Sequence, residues 1–202
     1  IRNPEYYFRE GITFSDTGFY APTFRLGCAS VFDVMGMTIF SDILSPGCLL
    51  SILTSSLTRY VIKNYINHTV HTQVEGLKPI PIRADEENII NKLRPLAKSI
   101  FDKQKSDPRY SYHLHEQKEI DALVYQLYRL TEEDIRDVEM WYCRRYPKLA
   151  EAQGVLAEVQ QKYTGHLERC KLILSKPPGY WKSSPTLQLI AQGEGQKLEF
   201  KE

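Results

Sequence analysis

The stretch from Leu49 to Ile66 constrains this chain more than any other. Leu49, Ile52, Leu53, Leu57, Tyr60, Val61 and Tyr65 recur three and four residues apart. That is the helical period, so one face of a helix here must be buried. Pro46 and Gly47 stand just ahead, where a helix can begin because its first backbone donors are unpaired anyway. The periodicity stops at Asn67. His68, Thr69, His71, Thr72 and Gln73 then make a loop rich in polar side chains with little to bury. From Gly76 to Ile82, with Pro79 and Pro81 on alternate positions, the sequence reads as an edge strand.

A buried helix face needs an apolar partner, and residues 1–45 can supply one. Tyr6–Phe8, Gly11–Ser15, Thr23–Leu26 and Met37–Phe40 are short runs of aromatic and β-branched residues. Asp16–Gly18, Gly27 and Gly36 punctuate them with turn residues. Four such runs predict a small sheet whose open face the Leu49–Ile66 helix covers. The expected fold class is α+β, with a small β-rich unit packed on a helix over residues 1–84 and a helical region over 85–175. Residues 176–202 are expected to be a linker and the start of a truncated following domain.

The helical region divides by its own signals. Asp85 is an expected N-cap for a helix over 85–106, with Glu86 and Glu87 suiting its start. Ile89, Ile90, Leu93, Leu96, Ala97, Ile100 and Phe101 form its apolar stripe, and Pro95 predicts a kink or a break. Residues 106–115 are turn-prone and hold His113 and His115, a metal pair lacking a third ligand nearby. A helix over 116–130 carries Ile120, Leu123, Val124, Leu127 and Tyr128 on one face. Thr131 then restarts the chain as an N-cap, with Asp134 three residues on, for a helix over 131–146. A long helix is expected over 148–175, weakened by Gly154 and Gly165. Lys176–Gly179 ends it.

Composition narrows the function classes. With 42% hydrophobic and 25% charged residues the chain reads as ordinary globular protein, and its net charge of +1 requires any basic face to be local. Cys28, Cys48, Cys143 and Cys170 have no CxxC pairing, which argues against a tetrahedral zinc site and for free thiols in a cytoplasmic protein. Neither a signal peptide nor an apolar run of roughly eighteen residues is present, so no membrane association is expected. There is no dinucleotide fingerprint and no GxxxxGK loop. Asn3-Pro4-Glu5-Tyr6 and Lys176-Pro177-Pro178-Gly179-Tyr180 approach the Asn-Pro-Pro-Tyr of amino-methyltransferases, but the wrong residues interrupt both. The chain opens on Ile1 rather than Met, and a piece of a longer protein is expected.

Three strings resemble one family in order and spacing. They are Tyr7-Phe8-Arg9-Glu10-Gly11-Ile12-Thr13-Phe14-Ser15, then Asn67-His68-Thr69 with Gln73-Val74 and Leu77-Lys78-Pro79-Ile80-Pro81-Ile82, then residues 120–135. Together with the leucine-rich helix, they are similar to the target-recognition domain of adenine-specific DNA methyltransferases of the single-chain restriction-modification (type IIG) and bacteriophage-exclusion (BREX) kinds. A more distant likeness is to type I specificity subunits. Pro79 departs from the family pattern, which more often has a polar or aliphatic residue there. The closing Glu194–Glu202 resembles the opening of a Schlafen/AlbA-type domain.

The resemblance implies a module that chooses the DNA site for a catalytic domain lying upstream in the same chain. Double-stranded DNA and that methyltransferase domain are the expected partners. S-adenosylmethionine is the cofactor expected upstream, with none in this stretch and no catalytic residue here. Reading a duplex needs cations and hydroxyls for phosphates and planar hydrogen-bonding groups for base edges. Arg9, Arg25, Arg59, Lys63 and Lys78 are candidates for the first role. Ser15, Asp16, Tyr20, His68, His71, Thr72 and Gln73 are candidates for the second. The alternative is a protein-interaction module of a restriction or phage-defence complex, with the helices after Asp85 docking a partner subunit.

Overall fold

A computed structural model describes residues 4–18, 20–27, 31 and 37–177. The fold is α+β, with a three-stranded antiparallel sheet and a larger set of helices. β1 (Ile12–Phe14) lies between β2 (Phe24–Leu26) and β3 (Thr38–Ile39). Ile12 faces Leu26 and Ile39, and Phe14 faces Phe24. Alternation along a strand sends Ile12, Phe14 and Phe24 into the core and Thr13 and Arg25 to the other side. Gly11 lets the strands close at the sheet's end, since a Cβ there would lie 2.6 Å from Thr38 Cγ2 and 2.9 Å from the Ile39 carbonyl.

The helix expected over 49–66 forms in three pieces. α1 spans Pro46–Thr54 and α2 spans Ser56–Val61, with a π-helical turn over Ile62–Ile66. Ser55, in extended conformation, ends α1 and caps α2, its hydroxyl taking the Thr58 N–H at 3.2 Å. Thr54, Ser55 and Ser56 are weak helix formers that compete for backbone groups, which explains a break that apolar spacing alone does not show. α1 lies against β1 and β2, as the buried stripe predicts.

Two expected strands do not form. Tyr6–Phe8 is replaced by a 3-10 turn over Pro4–Tyr6, and Phe8 has a positive φ of 61° that no extended strand tolerates. Gly76–Ile82 is not an edge strand. α3 (Val74–Leu77) is a single helical turn, and the Ile80 N–H turns back to the Leu77 carbonyl at 3.1 Å. Pro79 and Pro81 lack donors for a ladder. Leu77 and Ile80, three apart rather than two, are the buried residues of this segment.

α4 (Glu87–Ser106) runs through Pro95 as one helix, so of the kink or break expected there the break does not occur. Asp85 does not cap it, because Arg83 takes the Asp85 carboxylate in an ion pair. Ile90, Leu93 and Ala97 are buried, whereas Phe101 is exposed. α5 (Glu116–Leu127) buries Ile120, Leu123, Val124 and Leu127 as its stripe predicts. α6 (Glu132–Arg145) begins with the expected capping box, the Asp134 N–H donating to Thr131 Oγ1 at 3.2 Å and the Thr131 N–H to Asp134 Oδ2 at 2.9 Å. Asp134 thus does the work more often given to Glu or Gln.

The single long helix expected over 148–175 is instead α7 (Pro147–Ala152), α8 (Val155–Lys162) and α9 (Thr164–Leu174). Gly154 makes the first break by adopting a φ of +68°, the left-handed conformation that ends helices. The second falls at Tyr163, not at Gly165, which lies inside α9. One continuous core joins Ile12, Phe14 and Phe24 to α1, α4, α5 and α6, so residues on both sides of position 84 share it. Each fully buried large apolar side chain in it contributes about 1.5–3 kcal/mol.

The chain divides into two compact units, Ile1–Val159 and a second beginning at Gln160. Among the described residues no helix is long and apolar enough to cross a membrane. The turn at Gly36, the linker expected over 183–195 and the Schlafen-like closing string lie outside the described residues.

Candidate nucleic-acid interface

The polar loop after the π-helical turn is held in one shape by its own side chains. Asn67 Oδ1 accepts from the Thr69 N–H at 2.8 Å and from the Thr69 hydroxyl at 2.7 Å, while Asn67 Nδ2 donates to the His71 carbonyl at 2.8 Å. Lys63 Nζ donates to the Thr69 carbonyl at 2.9 Å, and His68 Nδ1 sits 2.8 Å from the Lys63 carbonyl. An Asn side chain that bonds the backbone two residues on is a turn-forming device, and here it fixes the loop's neck.

A second set of bonds ties this loop to the turn after β1. Thr17 and His71 form an isolated antiparallel bridge. The Gly18 N–H donates to the Val70 carbonyl at 2.8 Å, and the Thr72 N–H to the Asp16 carbonyl at 2.6 Å. His71 Nδ1 lies 3.4 Å from both Asp16 Oδ2 and Thr17 Oγ1. Because both neighbours share one ring nitrogen, this is a stitch and not a relay that could activate the Thr17 hydroxyl.

The predicted residues divide accordingly. Asp16, His68, His71 and Gln73 come together on the stitched loop and turn, with His68, His71 and Gln73 exposed. Ser15 belongs to the same turn, its hydroxyl accepting from the Thr23 N–H at 3.0 Å. Tyr20 lies just beyond, 60% exposed, its ring packed 4.8 Å from that of Tyr146. Thr72 and Lys63 are turned inward, at 3% and 8% exposure. Burial, and then the charge of nearby Arg145, holds the Lys63 ammonium below the usual lysine value.

The remaining cations are spread out. Arg9 donates to Asp42 at 3.1 Å and lies over the rings of Tyr6 and Phe40. Arg25 stands on β2 and donates to Thr13 Oγ1 at 3.3 Å. Lys78 pairs with Glu75 at 2.6 Å. Arg59 is half-buried on α2, and its charge bears on His113, Asp121, Tyr142 and Tyr146.

Sequence reasoning missed Asn67 as the residue that shapes the loop. Tyr65 was absorbed into the helical stripe but is 70% exposed, because the π-helical turn rotates it off the buried face. Asn67 carried a signal, since Asn followed two residues on by Thr at a helix end is a turn pattern. Among the described residues no three metal-capable side chains cluster. His113 packs on Tyr112 and His115 stacks on Tyr110.

Comparison with protein-family models, with curated proteins and with solved structures returned no match.

Proposed function

We propose that this chain is the DNA sequence-recognition module of an adenine-specific methyltransferase of the restriction-modification or phage-exclusion kind. The observation that carries the reading is the rigid polar loop from Asn67 to Gln73, bonded to the Asp16–Gly18 turn and presenting His68, His71 and Gln73 outward. A preformed loop of planar hydrogen-bonding groups is what base-edge readout needs, because no ordering cost is left for the moment of binding. Arg25 would supply phosphate contact from β2. Lys78 is paired to Glu75 and Arg83 to Asp85, and the upstream catalytic domain would provide most of the phosphate affinity. S-adenosylmethionine would bind there and not here.

Duplex titration at low and moderate salt tests this. Arg25→Ala should weaken binding to every sequence and flatten the salt dependence, while Gln73→Ala should remove discrimination between sequences at one or two base pairs. Absence of binding at low salt would end the reading.

A second reading, a protein-interaction module, is favoured by α9, where Leu172, Ile173 and Leu174 are 61%, 47% and 79% exposed. Three neighbouring apolar side chains in water favour a partner surface. Self-association without DNA binding would select it.

A further inference from the structure

Five aromatic rings form a connected chain with both ends in solvent. Tyr65, 70% exposed, meets Tyr60 edge-on with ring centres 5.8 Å apart. Tyr60 meets Trp141 at 5.3 Å, Trp141 meets Tyr146 at 5.6 Å, and Tyr146 meets Tyr20 at 4.8 Å. Trp141 and Tyr146 are buried, and Tyr20 is again exposed. The Tyr146 hydroxyl accepts from the Ala21 N–H at 3.2 Å, and the hydroxyls of Tyr60 and Tyr65 lie 3.4 Å apart. The two exposed rings are thus joined through the half-buried Tyr60 and the buried Trp141 and Tyr146.

A lone surface aromatic needs no explanation. These two differ because they flank the same loop. Tyr20 follows Gly18, whose N–H holds Val70, and Tyr65 precedes Asn67, whose side chain holds His71. The setting is charged on both sides. Arg59 and Arg145 bear on the Tyr146 hydroxyl and Arg145 on Lys63, whereas Asp134 and Asp137 bear on Tyr60. Exposed Arg145 is the cation common to the Tyr146 end and the loop's neck, while Lys63 itself is buried.

We infer that Tyr20 and Tyr65 are stacking platforms for unpaired nucleobases, so that the loop surface takes a locally opened or single DNA strand more tightly than intact duplex. This rests on the DNA reading above and extends it. Every base has a π-face, so stacking is tolerant of sequence and complements the loop's hydrogen-bonding groups. Tyrosine suits the task because ordering its side chain fixes only two torsions for a large contact area.

The test compares a labelled duplex, the same duplex with a short central bubble of mismatches, and the single strand, titrated with the 202-residue chain at low salt. The bubble should bind about tenfold or more tighter than the duplex, in keeping with the strength of one or two base–ring stacks. Tyr65→Leu should lose that preference with duplex affinity unchanged, and Tyr65→Phe should keep it. The high exposure of Tyr65 makes both variants safe for folding. Equal affinity for bubble and duplex, or a leucine variant as discriminating as the phenylalanine one, overturns the platform while leaving duplex recognition standing. No binding to any of the three overturns both.

Discussion

Asp121 receives both the backbone N–H and the hydroxyl of Ser56, at 2.8 and 2.9 Å, so a carboxylate from α5 closes the N-terminus of α2. Gln117 donates to the same carboxylate at 3.2 Å. Burial pushes the Asp121 carboxyl up from its usual value, and the bonds from Ser56 and the charge of Arg59 oppose that. α2 leads directly into the π-helical turn and the candidate loop, so this contact anchors the helix that carries the loop. Asp121→Ala should lower stability by about 1–2 kcal/mol, the cost of a lost cap with unsatisfied donors, and Asp121→Asn by less. Urea unfolding with an unchanged slope and a lower midpoint would register it. A midpoint equal to that of the unaltered chain would show that the cap carries no weight.

His113 makes stability depend on pH. Burial, then the charge of Arg59, holds its imidazole down to about 4 from the ordinary 6.5. The unfolded chain therefore takes up the proton first as pH falls. Stability is full above pH 6.5, declines between there and about 4, and shows no further loss from this group below that. Partial solvent access limits the effect to about 1–2 kcal/mol. His113→Gln should flatten the fall in urea midpoint across that window, and an unaltered fall would assign it to other groups.

Gly11→Ala should destabilise the sheet by about 1–3 kcal/mol, because the new methyl meets strand β3 and the Phe40 ring at 2.8 Å with nowhere to retreat. Thermal unfolding followed by circular dichroism reads this directly. A substitution without effect would mean that β3 shifts at no cost.

Asn67→Ala removes the three bonds that Asn67 makes in the loop, leaving Thr69 held by Lys63 and by its own hydroxyl on the His71 carbonyl. With its neck loosened though still bonded to the Asp16–Gly18 turn, the loop should lose about tenfold in affinity for its preferred DNA site, as ordering the neck would then oppose binding. Helix content should stay the same. If affinity held while the loop loosened, base readout would belong elsewhere.

Much of the fold was legible because burial leaves periodic traces. The stripes of α4 and α5, the three strands at Ile12, Phe24 and Thr38, and the Thr131–Asp134 box all follow from spacing and cap chemistry. What escaped was decided by polar side chains acting locally. Ser55 split the organising helix by capping it from within, and Arg83 took the carboxylate that would have capped α4. Pro79 and Pro81 signalled an edge strand, yet the chain folded into a helical turn that buries Leu77 and Ile80. At the candidate interface, the loop's polar composition was readable, but its bonding to the Asp16 turn was not. That pairing joins segments distant in sequence, and no local pattern encodes it.

Selection from a random-sequence duplex pool at low and then moderate salt tests the DNA reading most directly. The account predicts salt-sensitive retention with an enriched motif, and loss of that motif when Gln73 and His71 are replaced by alanine. A pool that washes through even at low salt would contradict it.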